Sequence, residues 1–155
     1  VLERLWAGTV ERARQLPPEL LHERVDGEYS FIETLRHLIF ATDAWVSRAV
    51  LGDPSPYSPL GLPHDEMPEM PGVLPGDRSL RPSLDEVLVV RRERADVVRR
   101  VLSDFDLEGV TTPVEAPGYP PARAYPVRRC LGSILNEEWE HRLFAERDLD
   151  ALTGR

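Results

Sequence analysis

Four stretches of helical periodicity, held apart by proline-rich runs, constrain this chain more than anything else in it. Residues 1–16 repeat apolar side chains at helical spacing (Leu2, Leu5, Trp6, Val10, Ala13) and stop at Pro17-Pro18. Proline lacks an amide donor and clashes with the preceding turn, so the pair ends a helix. After a turn at Val25-Asp26-Gly27, residues 28–51 form a second periodic stretch, closed by Gly52 and then Pro54, the usual order at a helix C-terminus. The third stretch runs from 84 to about 103. Ser83 stands at its N-cap, and Asp85 and Glu86 lie in its first turn, where the helix dipole favours negative charge. Its apolar stripe is Leu84, Val87, Leu88, Ala95, Val98 and Leu102, with Arg91 among them. The fourth stretch spans 126–151, and Pro126 suits its first turn. No segment alternates with period two over a useful length, so no sheet is expected.

The connections are as informative as the helices. Residues 52–82 hold eight of the fifteen prolines, and a loop this long inside a compact domain tends to be functional or mobile. Tyr57, Leu60, Leu62, Met67 and Met70 within it favour an ordered crossover packed over the helices rather than a disordered linker. A second Pro/Gly-rich connection, 104–125, contains Ala116-Pro117-Gly118-Tyr119-Pro120-Pro121, which no regular helix accommodates. The expected fold is all-α: one four-helix bundle domain over residues 1–155. The long crossover lets the second and third helices run parallel, in up-down-down-up order.

Charge and composition exclude several function classes. With 27 acidic against 19 basic residues the net charge is −8, the wrong sign for a nucleic-acid surface or a polybasic membrane anchor. Every basic residue is arginine, which reads first as the signature of a GC-rich genome. It also rules out a Schiff-base or P-loop lysine. The single cysteine, Cys130, excludes an intrachain disulfide and reads as a small buried hydrophobe. No run approaches the roughly 20 apolar residues needed to cross a bilayer. Glu3, Arg4, Glu11 and Arg12 make the opening segment unlike a signal peptide. A cytoplasmic location is the expectation.

Candidate chemistry lies on two helices. Of the four histidines, His22, His37, His64 and His141, two sit deep within predicted helices. His141 falls on the apolar side of the last helix, beside Cys130, Ile134 and Ala145, with Glu137 one turn earlier on the same side. Side chains four apart on a helix lie roughly 5–6 Å apart at Cβ, so one cation can reach both. Glu138 also points inward, and a buried carboxylate without a partner costs several kcal/mol, roughly, which a metal offsets. His37 shares a stripe with the small residues Ser30, Thr34, Ala41 and Ala44, which leaves room beside its ring. Plainer readings compete. A lone interior histidine is more often a hydrogen-bonded core residue than a ligand, and Glu33–His37 repeats the same spacing. Glu137, Glu138 or Glu140 can also pair with Arg142 at the surface. Glu138 and His141 form a Glu-x-x-His motif of the di-iron type. The only other copy, Glu19–His22, follows Pro17-Pro18 where no long helix is expected, so the mononuclear reading ranks higher. His64 is read as a solvated loop residue able to close over a site, and Arg128-Arg129 as facing solvent.

The segments DGEYSFIETLRHLIFATDAWV (26–46) and VRRCLGSILNEEWEHRLFAERDLDAL (127–152) resemble the two signature helices of the DinB-like superfamily. That group includes thiol-dependent S-transferases and the mycothiol-dependent maleylpyruvate isomerase. The loop segment Pro63-His64-Asp65-Glu66-Met67-Pro68 is similar to a subgroup of small DinB-like proteins. The resemblance implies a divalent metal, zinc first and nickel second, held by His37, Glu137 and His141. Glutamate at position 137, where histidine is commoner, resembles the mycothiol-dependent isomerase branch. It further implies a low-molecular-weight thiol that loses its proton at the metal and attacks a small electrophile, with Glu138 behind the ligands. The competing expectations are a metal-dependent hydrolase, a non-catalytic metal-binding module related to stress, and a structural bundle whose inner His and Glu merely pair. The chain is expected to act as a monomer or a homodimer.

Overall fold

The computed structural model describes residues 1–154. It contains α1 (Leu2–Arg14), a 3-10 turn (Pro18–His22), α2 (Phe31–Thr42) continuing into a π-helical segment (Asp43–Arg48), α3 (Leu84–Asp104) and α4 (Val127–Thr153). No strand forms among the described residues, and a lone bridge joins Val110 to Pro126. Among the described residues no helix is long and apolar enough to cross a membrane. Each predicted helix is present, and the proline breaks set its limits to within a few residues.

Ion pairs and shared cores give the directions of the helices. Arg14 pairs with Asp85 and Glu3 with Arg99, so α1 and α3 are antiparallel. Thr9 hydrogen-bonds Glu146, and Arg12 reaches Glu146 and Asp150, so α1 and α4 are parallel. One core layer joins Leu35, Leu38 and Val87 to Ala145 and Leu149. The other joins Ala41, Val46 and Val101 to Val127, Leu131 and Ile134. Helices α2 and α3 therefore run together and α4 runs against them, the expected up-down-down-up bundle.

Helix α2 is buried on nearly every side. Ser30 and Glu33 close a reciprocal capping box at its start, each accepting a hydrogen bond from the other's backbone amide. The small-residue stripe of His37 and the bulky side of Phe31, Leu35, Leu38 and Ile39 are both buried, because the 52–82 crossover covers the face that the other helices leave open. Arg36, 1% exposed, donates to the carbonyls of Leu60 and Asp77. Its own carbonyl accepts from the Leu62 amide. Asp43 accepts from the Ser58 amide and is held by Arg94 of α3 at 2.6 Å. The expected ordered crossover is present, tied down by polar groups of α2 rather than by its apolar residues alone.

The π-helical turn follows at once, with Ala49 N–H bonding back to Ala44 and Leu51 to Val46. It ends in Arg48, a buried guanidinium with no carboxylate partner, which donates to the carbonyls of Pro54, Val114, Ala116 and Pro120. One side chain thereby fastens the start of the crossover to the α3–α4 connection.

In α3 the expected stripe drifts at its end: Val101 is buried and Leu102 is exposed. Arg91 faces inward as its position requires and pairs with Glu138.

Candidate metal centre

His37, Glu137 and His141 each offer a ligand atom, and these atoms lie within 4.8 Å of one another. His37 comes from the middle of α2 and the other two from successive turns of α4, so antiparallel packing brings the three together. His37 Nε2 is 3.2 Å from Glu137 Oε2, and the two imidazoles stack with centroids 4.8 Å apart. His37 is 5% exposed. Glu137 and His141 form the rim, with side chains 35% and 15% exposed. The wheel of α2 alone did not show that His37 turns toward α4.

His37 Nδ1–H donates to the carbonyl of Leu62 at 2.9 Å. That bond fixes the tautomer, leaving Nε2 as an acceptor. Nε2 then confronts a carboxylate oxygen, also an acceptor, and the pair needs a second ring proton or a cation between them. Backbone-anchored imidazoles of this kind are the usual arrangement of histidine metal ligands. His141 Nδ1–H donates to the Glu137 carbonyl at 3.0 Å, and the same nitrogen lies 3.2 Å from Glu137 Oε2. Close hydrogen-bonding contact with His37 is the main reason that the Glu137 carboxyl lies below its ordinary range, against the opposing effect of burial. Burial, reinforced by His37, pushes the His141 imidazole down and favours its neutral, ligating form. Two imidazoles and a carboxylate fit a zinc-type ion with a position left open.

The remaining sequence expectations divide. Glu138 does not stand behind the ligands. Its carboxylate accepts from both terminal nitrogens of the Arg91 guanidinium, one at 2.9 Å, and Arg91 also covers the Trp6 ring. Arg142 reaches Thr9 and Glu146 rather than Glu137. His22 lies in the 3-10 turn and takes no part in the cluster. His64 is exposed, yet its ring stands edge-on to His37 at 6.2 Å. Cys130 is fully buried, its thiol pushed up by desolvation, and so serves as packing. Arg128 and Arg129 face solvent.

An aromatic flank was not anticipated from the sequence. Tyr29 lies 5.7 Å from the His37 ring and donates to the Pro63 carbonyl at 2.6 Å. Burial pushes its phenol up to about 12. Phe40 lies 6.4 Å from His37 and stacks on Tyr57 and Tyr119. Tyr57 Oη donates to the Tyr119 carbonyl and accepts from the Tyr119 amide, so Tyr119 is held by its backbone. Burial raises the Tyr119 phenol, and the charges of Tyr125 and Glu137 add to the effect, which places it within electrostatic reach of the cluster. The available signal was an aromatic residue locked inside a Pro/Gly-rich run.

No curated protein and no solved structure gives a significant match to this chain. The family model described as the DinB superfamily matches residues 1–145, which take in the first three helices, both connections and α4 as far as Ala145. The chain belongs to the DinB superfamily.

Proposed function

We propose that His37, Glu137 and His141 hold a divalent metal, zinc before nickel, and that the protein catalyses transfer or isomerisation of small electrophiles with a low-molecular-weight thiol of the mycothiol kind. The observation that carries this reading is the Leu62-anchored imidazole whose free nitrogen faces a carboxylate oxygen at 3.2 Å. A cation resolves that confrontation, and the neutral His141 beside it supplies a third donor.

The ion would act as a Lewis acid that lowers the pKa of a thiol bound in its open position and so provides a sulfur nucleophile at neutral pH. The chain's own groups do the rest. Glu137 offsets part of the positive charge and sits on the exposed rim, where a ligand enters. The Leu62 carbonyl and the Glu137 carbonyl keep the two imidazoles aimed. Phe40, Tyr57 and Tyr119 give an apolar aromatic wall with a phenol at its edge, suited to a small, partly apolar electrophile.

The test is metal analysis followed by assay. Purified protein should carry zinc or nickel at about one ion per chain, and the metal-loaded protein should accelerate thiol addition to model electrophiles. His141→Ala should lose both. A bound ion with no turnover across several thiols would make the protein a metal-binding module without catalysis.

A further inference from the structure

We propose that His64, carried by the crossover loop, is a fourth ligand for the ion that His37, Glu137 and His141 hold. The inference rests on the metal-site reading. Two imidazoles on one ion, each with a metal–nitrogen bond of about 2.1 Å, place their ring centroids about 5–6 Å apart. His64 is 6.2 Å from His37, just beyond that separation and outside the cluster of three, so its ring has to swing inward to bond the ion.

The loop is built to allow that swing and little else. On one side of His64, the Pro63 carbonyl accepts from Tyr29 and the Leu62 backbone is bonded to both Arg36 and His37. On the other, Asp65 pairs with Arg78 at 2.5 Å and lies 4.0 Å from Arg24. The backbone is thus held at both flanks while the imidazole itself is exposed. Its one hydrogen bond is from the Glu66 amide to Nδ1, at 3.2 Å. Coordination exchanges that long, solvent-exposed bond for a bond to metal. His64 also acts on the Glu137 carboxyl in the same sense as His37 and His141 do.

His64 differs from the other ligands in kind. Those three are fixed by helices, whereas His64 is the one on a loop and the one that an entering thiol can displace. It therefore occupies the outward position at rest and yields it to substrate.

Cobalt(II) substitution of the full chain reads this directly. Wild-type protein should give the intense visible absorption of a four-ligand tetrahedral site. His64→Gly, at an exposed position, should fold normally, bind cobalt about tenfold or more weakly, and show the weak absorption of a more hydrated ion. Free imidazole added to His64→Gly should restore the wild-type spectrum. Identical spectra and affinities in wild type and His64→Gly would overturn the role of His64 and leave the three-residue site standing. Failure of the wild type to bind cobalt at one per chain would overturn both.

Discussion

A carboxylate oxygen set against the acceptor nitrogen of a backbone-anchored imidazole is a poor arrangement for a protein and a good one for a cation. Glu137→Gln separates the two demands. An amide N–H in place of the carboxylate oxygen can donate to the free His37 Nε2, so metal-free Glu137→Gln should melt at or above the temperature of metal-free wild type. Its zinc affinity should nevertheless fall by more than about a hundredfold, since even groups behind a ligand change affinity about 10–100-fold. Melting in chelator and zinc titration by calorimetry check the two halves. A variant that loses stability and keeps its affinity would remove Glu137 from the ligand set. This part of the site was legible in the sequence, because Glu137 and His141 are polar residues one turn apart on an apolar face. The orientation of His37 was not, because it depends on a carbonyl of Leu62 brought from the crossover. Glu138 looked similar on the wheel and went to Arg91, a partner on another helix that periodicity along α4 could not name.

Helix α2 positions the site, and its ends are secured by polar groups. Glu33 accepts from the Ser30 amide and from Arg24 at 3.0 and 2.7 Å. Burial raises its carboxyl, but those donors outweigh burial and hold it below its ordinary 4.5. A depressed carboxyl stabilises the fold above its unfolded pKa and loses that contribution as pH falls through the folded value. The stability advantage of wild type over Glu33→Gln should therefore be complete above about pH 4.5 and fade below it, as acid titration of the folded fraction would show. At the other end, Gly118 leaves no room: a Cβ there would sit 2.7 Å from both Arg48 Nη1 and Tyr57 Oη. Gly118→Ala should displace the 114–120 loop, free the Arg48 clamp and cost about 1–3 kcal/mol, with faster amide exchange in both connections. The proline pattern was enough to locate the four helices, since each break is a local steric fact. The burial of Arg36 and Arg48 was not readable, because all but one of their partners are backbone carbonyls 24 to 72 residues away.

For the whole molecule, an ion held at this cluster would act as a bolt between two antiparallel helices, α2 and α4, that otherwise meet through side-chain packing. Ligand bound only by the folded state adds RT ln(1 + [L]/Kd), or about 4 kcal/mol at a thousandfold excess over Kd. In a chain of this size each kcal/mol moves the melting temperature by about 2–4 °C, so zinc at that excess should raise it by about 8–16 °C over protein in chelator. The increment should vanish in His141→Ala, where one of the three donors is gone and the α2–α4 packing is otherwise kept. It should shrink with acidification, because protons compete for both imidazoles and the carboxylate while leaving the apolar layers at Leu35 and Ile134 unaffected. A zinc-dependent rise that survives His141→Ala would place the stabilising ion elsewhere in the bundle. A rise absent from wild type would reduce the cluster to a buried pairing of His37 with Glu137, held together by a ring proton.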